Sequence, residues 1–164
     1  MTTAHQPLPQ NVEWRTPFDL LRRNATLYPN KLALVAANAD GGETRLSYAA
    51  LSFAIDKAAD ALRNRGLRPD DHLAILMTNH AAAEYVLIAW GAMRLGAVVV
   101  PLNARFAVPE LRAAIEDMDC GFLIHESGFD TTVAALNKGD DRFAGRTIRV
   151  GADGDWAAVY AAGI

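Results

Sequence analysis

From Ser47 onward, apolar segments of helix length and strand length alternate along the chain, and this alternation constrains the fold more than any other feature. Ser47 is a natural helix cap, and Leu51, Ile55, Ala58 and Leu62 recur at helical spacing until Gly66 stops the run. Arg68 to Asp71 turns the chain into an apolar strand, Leu73 to Met77, and a helix is predicted over about Ala81 to Leu95, ended by Gly96. Ala97 to Pro101 is a continuous valine-rich run, the pattern expected where both faces of a parallel sheet are covered. Pro109 to Met118 reads as helix with Leu111 and Ile115 on one face, Gly121 to His125 as strand, Asp130 to Leu136 as helix and Thr147 to Val150 as strand. Asp155 is a candidate cap for a last helix. The pattern predicts an α/β fold with a largely parallel sheet flanked by helices.

Ahead of this region, residues 1–15 are polar and proline-containing and read as a flexible tail, with residues 16–164 forming one α/β segment. Thr16-Pro17-Phe18-Asp19 places a hydroxyl cap, a proline and a first-turn carboxylate at the start of a helix that Pro29 ends near Tyr28. Lys31 to Ala37 is of strand length, Asp40-Gly41-Gly42 is a turn, and Thr44 to Leu46 returns as the second strand of a hairpin.

Composition narrows the function classes. With 51% apolar and 21% charged residues the chain has the balance of a folded domain, and its net charge of -3 provides no basic field for nucleic acid. The longest unbroken apolar run, Tyr85 to Met93, is far short of the roughly 20 residues that span a bilayer. No basic start followed by an apolar stretch marks a secretory signal, and the single cysteine, Cys120, cannot form an internal disulfide; both fit a cytoplasmic setting.

Familiar catalytic patterns are missing from the sequence. It contains no GxSxG elbow, no GxGxxG and no GxxxxGK[ST], and His5, His72, His80 and His125 fall in no metal-ligand spacing. Asp70-Asp71 precedes its strand, whereas parallel sheets gather ligands at strand carboxyl ends, so the pair reads as a solvated turn. His125-Glu126 ends a predicted strand and is better placed, although a polar pair there is more often surface than catalyst. Cys120 reads as a small buried packing residue. No catalytic residue and no metal ligand is assigned.

Three stretches carry a family resemblance. Leu46-Ser47-Tyr48-Ala49-Ala50-Leu51 resembles the L-[TS]-Y-x-E-L motif of adenylate-forming enzymes, the acyl-CoA synthetase and adenylation-domain superfamily. Asp71 to Asn79 resembles that superfamily's G-D-x-V-A-I-L-x-x-N segment, with Glu84-Tyr85 following at the familiar offset. Met93 to Asn103 resembles the motif in which a helix runs through glycine into a strand ending Pro-Leu-Asn. The similarity covers roughly residues 16–150. Ala50 departs from the pattern: it stands where the motif has glutamate, so the reciprocal half of a capping box is missing and the helix start is weaker by a fraction of about 1 kcal/mol.

The resemblance implies an amino-terminal portion of an AMP-forming acid–CoA ligase, with a fatty acid the commonest carboxylic-acid substrate. The parent enzyme would use ATP, Mg2+ and coenzyme A, making an acyl-adenylate and then a thioester. Within the class, an acyl-AMP ligase or an amino-acid adenylation domain is the alternative; outside it, a non-catalytic α/β interaction or ligand-binding module. Arg105 aligns with an arginine that in some relatives lies near the phosphates of coenzyme A, and the competing reading is a surface arginine paired with Glu110 or Asp117. The family's phosphate loop, aromatic-Thr-Glu motif, ribose-binding acid and carboxy-terminal lysine have no match in these 164 residues. The glycine-rich stretch Gly151 to Asp155 lacks lysine, serine and threonine and does not resemble that loop. The segment alone is therefore expected to be inactive and to hold no cofactor tightly. A partial sheet also predicts a homodimer through an open edge or exposed apolar surface.

Overall fold

The computed structural model describes residues 16–38 and 41–161. The predicted tail at 1–15 and Asp40 of the hairpin turn lie outside the described residues. A first helix α1 (Pro17–Leu27) leads into strands β1 (Leu32–Ala37) and β2 (Glu43–Ser47), then α2 (Tyr48–Asn64), β3 (His72–Leu76), α3 (Ala82–Leu95), β4 (Val98–Pro101), α4 (Val108–Asp117), β5 (Phe122–Glu126), α5 (Asp130–Leu136), β6 (Thr147–Val150) and α6 (Trp156–Ala161).

Strands β1 and β2 pair antiparallel as a separate two-stranded sheet, and the other four form a wholly parallel sheet in the order β4-β3-β5-β6. Side chains alternate across that sheet. Leu73, Ile75, Phe122, Ile124, Ile148 and Val150 pack with α2, α3 and α6, whereas Ala74, Leu76, Val100 and Leu123 pack with α4 and α5. The outcome is a three-layer α/β sandwich, as the alternation predicts. Each fully buried leucine, isoleucine or phenylalanine contributes roughly 1.5–3 kcal/mol relative to exposure.

Local chemistry sets the element ends. The Thr16 and Asp19 side chains exchange bonds across the start of α1, a full capping box in which the Thr16 N–H donates to Asp19 Oδ2 at 2.9 Å. At α2 only half is present: Ser47 Oγ accepts the Ala50 N–H at 3.3 Å, and Ala50 has nothing to return. Gly96 ends α3 at φ +86°, a conformation that disfavours any Cβ. Gly91 lets α2 and α3 approach closely, since a Cβ there would lie 2.9 Å from the Ala58 Cβ and 3.0 Å from the Ala59 nitrogen.

Two details depart from expectation. The valine-rich run does not enter the middle of the sheet: β4 is an edge strand with Val98 and Pro101 exposed and only Val100 buried. Both faces are nevertheless covered, since Val100 packs on the α4–α5 side and the half-buried Val99 on the α2–α3 side. Asp155 does not direct its side chain to a helix N–H; its Oδ1 accepts the Arg149 N–H at 2.6 Å.

Candidate functional site

Strands β3 and β5 are neighbours, yet the connections that leave their carboxyl ends go to opposite faces, α3 on one and α5 on the other. Such a divergence opens a crevice at the strand ends, the ordinary place for a ligand in a parallel sheet. An open cleft of about 490 Å³ lies here, lined among others by His80, Glu84, Glu126, Ser127, Gly151 and Trp156. The β1–β2 hairpin adds Asn38 and Thr44 to its wall.

Glu126, the last residue of β5, joins the two sides. Its Oε2 accepts the Thr78 N–H at 2.8 Å and the Thr78 hydroxyl at 2.6 Å, and Thr78 Oγ in turn accepts the His80 N–H at 3.3 Å. The loop after β3 is thereby pinned to the end of β5. Glu84, in the first turn of α3, has a carboxylate without a hydrogen bond or ion pair among the described residues. The lining includes two carboxylates and no lysine or arginine. This face is rich in acceptors and suits hydrogen-bond donors; it cannot neutralise a polyphosphate.

His125 and Glu126, read from sequence as a surface pair, are not one. His125 is 4% exposed, with Nδ1 3.1 Å from the Glu126 carbonyl oxygen and 3.6 Å from Asp130 Oδ1, on the sheet face opposite the cleft carboxylate. Burial follows because α5 folds back over the strand end. Asp130 is engaged by Arg149, whose Nε donates to both carboxylate oxygens at 2.9 and 3.0 Å. That bond holds the Asp130 carboxyl below the usual carboxylate range and the Arg149 guanidinium above its own.

Arg105 stands apart from the cleft, in the turn after β4 at the far edge of the sheet. Its N–H donates to Asn103 Oδ1 at 3.0 Å, and its exposed guanidinium makes no hydrogen bond or ion pair among the described residues. Glu110, one suggested partner, instead accepts the Ala107 N–H at 2.8 Å. Asp71 is a turn residue, its Oδ2 accepting the Arg68 N–H at 2.8 Å, and Asp70 takes φ +66° there. Cys120 is fully buried among apolar side chains, which pushes its thiol up to about 11. Among the described residues no group of three or more His, Cys, Asp or Glu side chains is placed to hold a metal ion. No helix among them is long and apolar enough to cross a membrane.

Sequence reading missed the cleft as an assembled unit. Glu126 and Glu84 were visible singly, but only the topology brings them beside Thr78, His80 and the turn at Gly151.

A four-stranded parallel sheet flanked by helices, with a crevice at its strand ends, defines the class as an α/β domain, and comparison with known proteins narrows it. Residues 21–160 match the family of AMP-binding enzymes. The feruloyl-CoA synthase of an Amycolatopsis species is 45% identical over 109 residues, 66% of this chain and 21% of that protein. The long-chain-fatty-acid–CoA ligase FadD13 of Mycobacterium tuberculosis is 31% identical over 144 residues, 88% of this chain and 27% of that protein. A crystal structure of the N-terminal domain of FACL13 from Mycobacterium tuberculosis superposes with a TM-score of 0.73 at 26% identity, covering 90% of this chain and 36% of that one. The chain belongs to the AMP-binding enzyme family, and its fold is that of part of the N-terminal domain of acyl-CoA synthetases. It spans 21% and 27% of the lengths of the two curated relatives described.

Proposed function

We propose that this chain serves as the amino-terminal portion of an ATP-dependent, AMP-forming acid–CoA ligase, which activates a carboxylic acid as its acyl-adenylate and passes the acyl group to coenzyme A. The observation that carries this reading is the family match over residues 21–160, together with relatives that are CoA ligases. Residue chemistry is consistent with a scaffold role. The motif residues Ser47, Gly96 and Val98 to Val100 cap a helix, end a helix and build a strand, and the acceptor-rich cleft offers no cationic side chain to a triphosphate. ATP and Mg2+ would therefore be held by other parts of the parent enzyme, and the 164-residue segment is proposed to be inactive alone.

A fatty acid is the proposed substrate class, supported by the 88% coverage of this chain in the match to FadD13. A second reading, an aromatic hydroxycinnamic acid, is favoured by the higher identity to a feruloyl-CoA synthase. Arg105 is proposed as a contact for the phosphates of coenzyme A, because its forked donor set is exposed and uncommitted. Self-association as a homodimer is proposed to use exposed apolar side chains such as Leu32, Val35 and Phe53. A cytoplasmic setting is proposed on the single buried thiol, Cys120.

The coding sequence downstream of Ile164 tests the reading. A serine-, threonine- and glycine-rich loop with a lysine supports the ligase, and a stop codon directly after Ile164 supports a non-catalytic α/β module. Thioester formation from a panel of fatty and hydroxycinnamic acids by the protein so encoded then separates the two substrate classes.

A further inference from the structure

The last strand of the parallel sheet should present a row of open backbone groups to solvent. In a parallel ladder alternate residues point their N–H and C=O groups toward the neighbouring strand, and the others point away. On β6, Arg146 bonds toward β5, its carbonyl accepting the Leu123 N–H at 3.0 Å. The outward positions are therefore Thr147 and Arg149, and an edge like this is a template for pairing with another strand.

Two of those four outward groups, one on each residue, are already occupied. The Thr147 carbonyl accepts from Arg65 Nη2 at 3.2 Å, a contact across 82 residues of sequence from the end of α2. The Arg149 N–H donates to Asp155 Oδ1 at 2.6 Å. Arg65 and Asp155 are themselves joined at 3.5 Å, so one side-chain pair spans the edge. Beside them the backbone of Gly154 sits so near that a Cβ would lie 2.3 Å from the Arg149 carbonyl oxygen, which leaves no room for an incoming strand. The turn is anchored from below by Trp156, buried in the core shared with α2.

We infer that Arg65 and Asp155 form a clamp that stands in for a neighbouring strand and closes the β6 edge against strand addition by a second copy of this chain. The pair supplies one donor and one acceptor, matched to the Thr147 carbonyl and the Arg149 amide, two of the four groups that a strand would otherwise bond. At the opposite edge, Pro101 provides a complementary block, since it has no N–H to offer. The inference concerns the β6 edge as this chain presents it, and it directs self-association of the chain away from β6.

The test uses the 164-residue chain and the variants Asp155→Ala, Asp155→Asn and Arg65→Ala/Asp155→Ala. Amide exchange at Arg149 is read by NMR or mass spectrometry, and mass by light scattering over a range of concentrations. Asp155→Ala is expected to exchange at Arg149 faster by on the order of tenfold to a hundredfold, the loss of a hydrogen bond to a charged acceptor. Asp155→Asn, which keeps an acceptor oxygen, is expected to retain most of the protection. The double variant is expected to self-associate more strongly than the parent, with intermolecular contacts mapping to Thr147–Val150. Unchanged exchange at Arg149 in Asp155→Ala with a native circular-dichroism spectrum would overturn the inference. So would a folded double variant that self-associates no more than the parent. Should the double variant not fold, the exchange comparison between Asp155→Ala and Asp155→Asn decides alone.

Discussion

Glu126 Oε2 accepts both the backbone N–H and the hydroxyl of Thr78, at 2.8 and 2.6 Å, and so ties the loop after β3 to the end of β5 at the point where the two connections part. Removing the carboxylate leaves a part-buried amide and hydroxyl without their acceptor. Glu126→Ala is expected to lower unfolding free energy by about 1–3 kcal/mol, and Glu126→Gln by less, because one oxygen acceptor remains. Urea denaturation of the three proteins measures the order, and equal losses would contradict it.

At the start of α2 the sequence provides its own repair. Ser47 caps the Ala50 N–H, but no side chain answers the Ser47 N–H. Ala50 is exposed, so Ala50→Glu is expected to complete the capping box and place a negative charge near the helix amino terminus. A gain of about 0.3–1 kcal/mol is expected, whereas Ser47→Ala is expected to cost about 1 kcal/mol. Thermal melts of the two variants give the signs.

Gly91 holds the α2–α3 contact at backbone distance. Alanine is ordinarily the better helix former by about 1 kcal/mol. Here its Cβ would meet Ala58 and the Ala59 nitrogen at 2.9 and 3.0 Å, atoms of a neighbouring helix that cannot swing aside. Gly91→Ala is therefore expected to destabilise by about 1–3 kcal/mol despite its propensity. A raised melting temperature would show that the helices separate without cost.

Cys120 titrates in the folded state at about 11, above the ordinary thiol range, because burial disfavours its thiolate. The native state therefore holds this proton more tightly than the unfolded chain. Its contribution to stability is present below the unfolded pKa of about 8.5 and is lost as pH rises from there through about 11. A Cys120→Ala variant is expected to show a shallower decline across that window. The native thiol is expected to react with a disulfide reagent only as fast as the protein opens.

Much of this fold was legible because the chain punctuates its elements with residues whose preferences are local. Thr16, Ser47, Gly66 and Gly96 mark helix ends, and the observed boundaries fall within a residue or two of them. Strand order was not legible: nothing in Ala97 to Pro101 says that this run forms an edge, because helices cover both of its faces there as they would in the middle of the sheet. The cleft was hidden for the same reason. Thr78 and Glu126 are 48 positions apart, and their contact depends on which strands become neighbours. His125 looked like surface because the fold-back of α5 over the strand end is a tertiary event. Arg105 was visible through a family motif alone. In the protein encoded with its downstream sequence, Arg105→Ala is expected to raise the KM for coenzyme A about tenfold with little change in the adenylation step. An unchanged KM would leave it a surface residue.

We propose that this segment is scaffold for an acid–CoA ligase whose ATP chemistry is carried by other residues. ATP–pyrophosphate exchange by the isolated 164-residue chain, measured with long-chain fatty acids and with ferulate, tests it most directly. Exchange indistinguishable from a no-protein control is the predicted result, and clear acid-dependent exchange would contradict it.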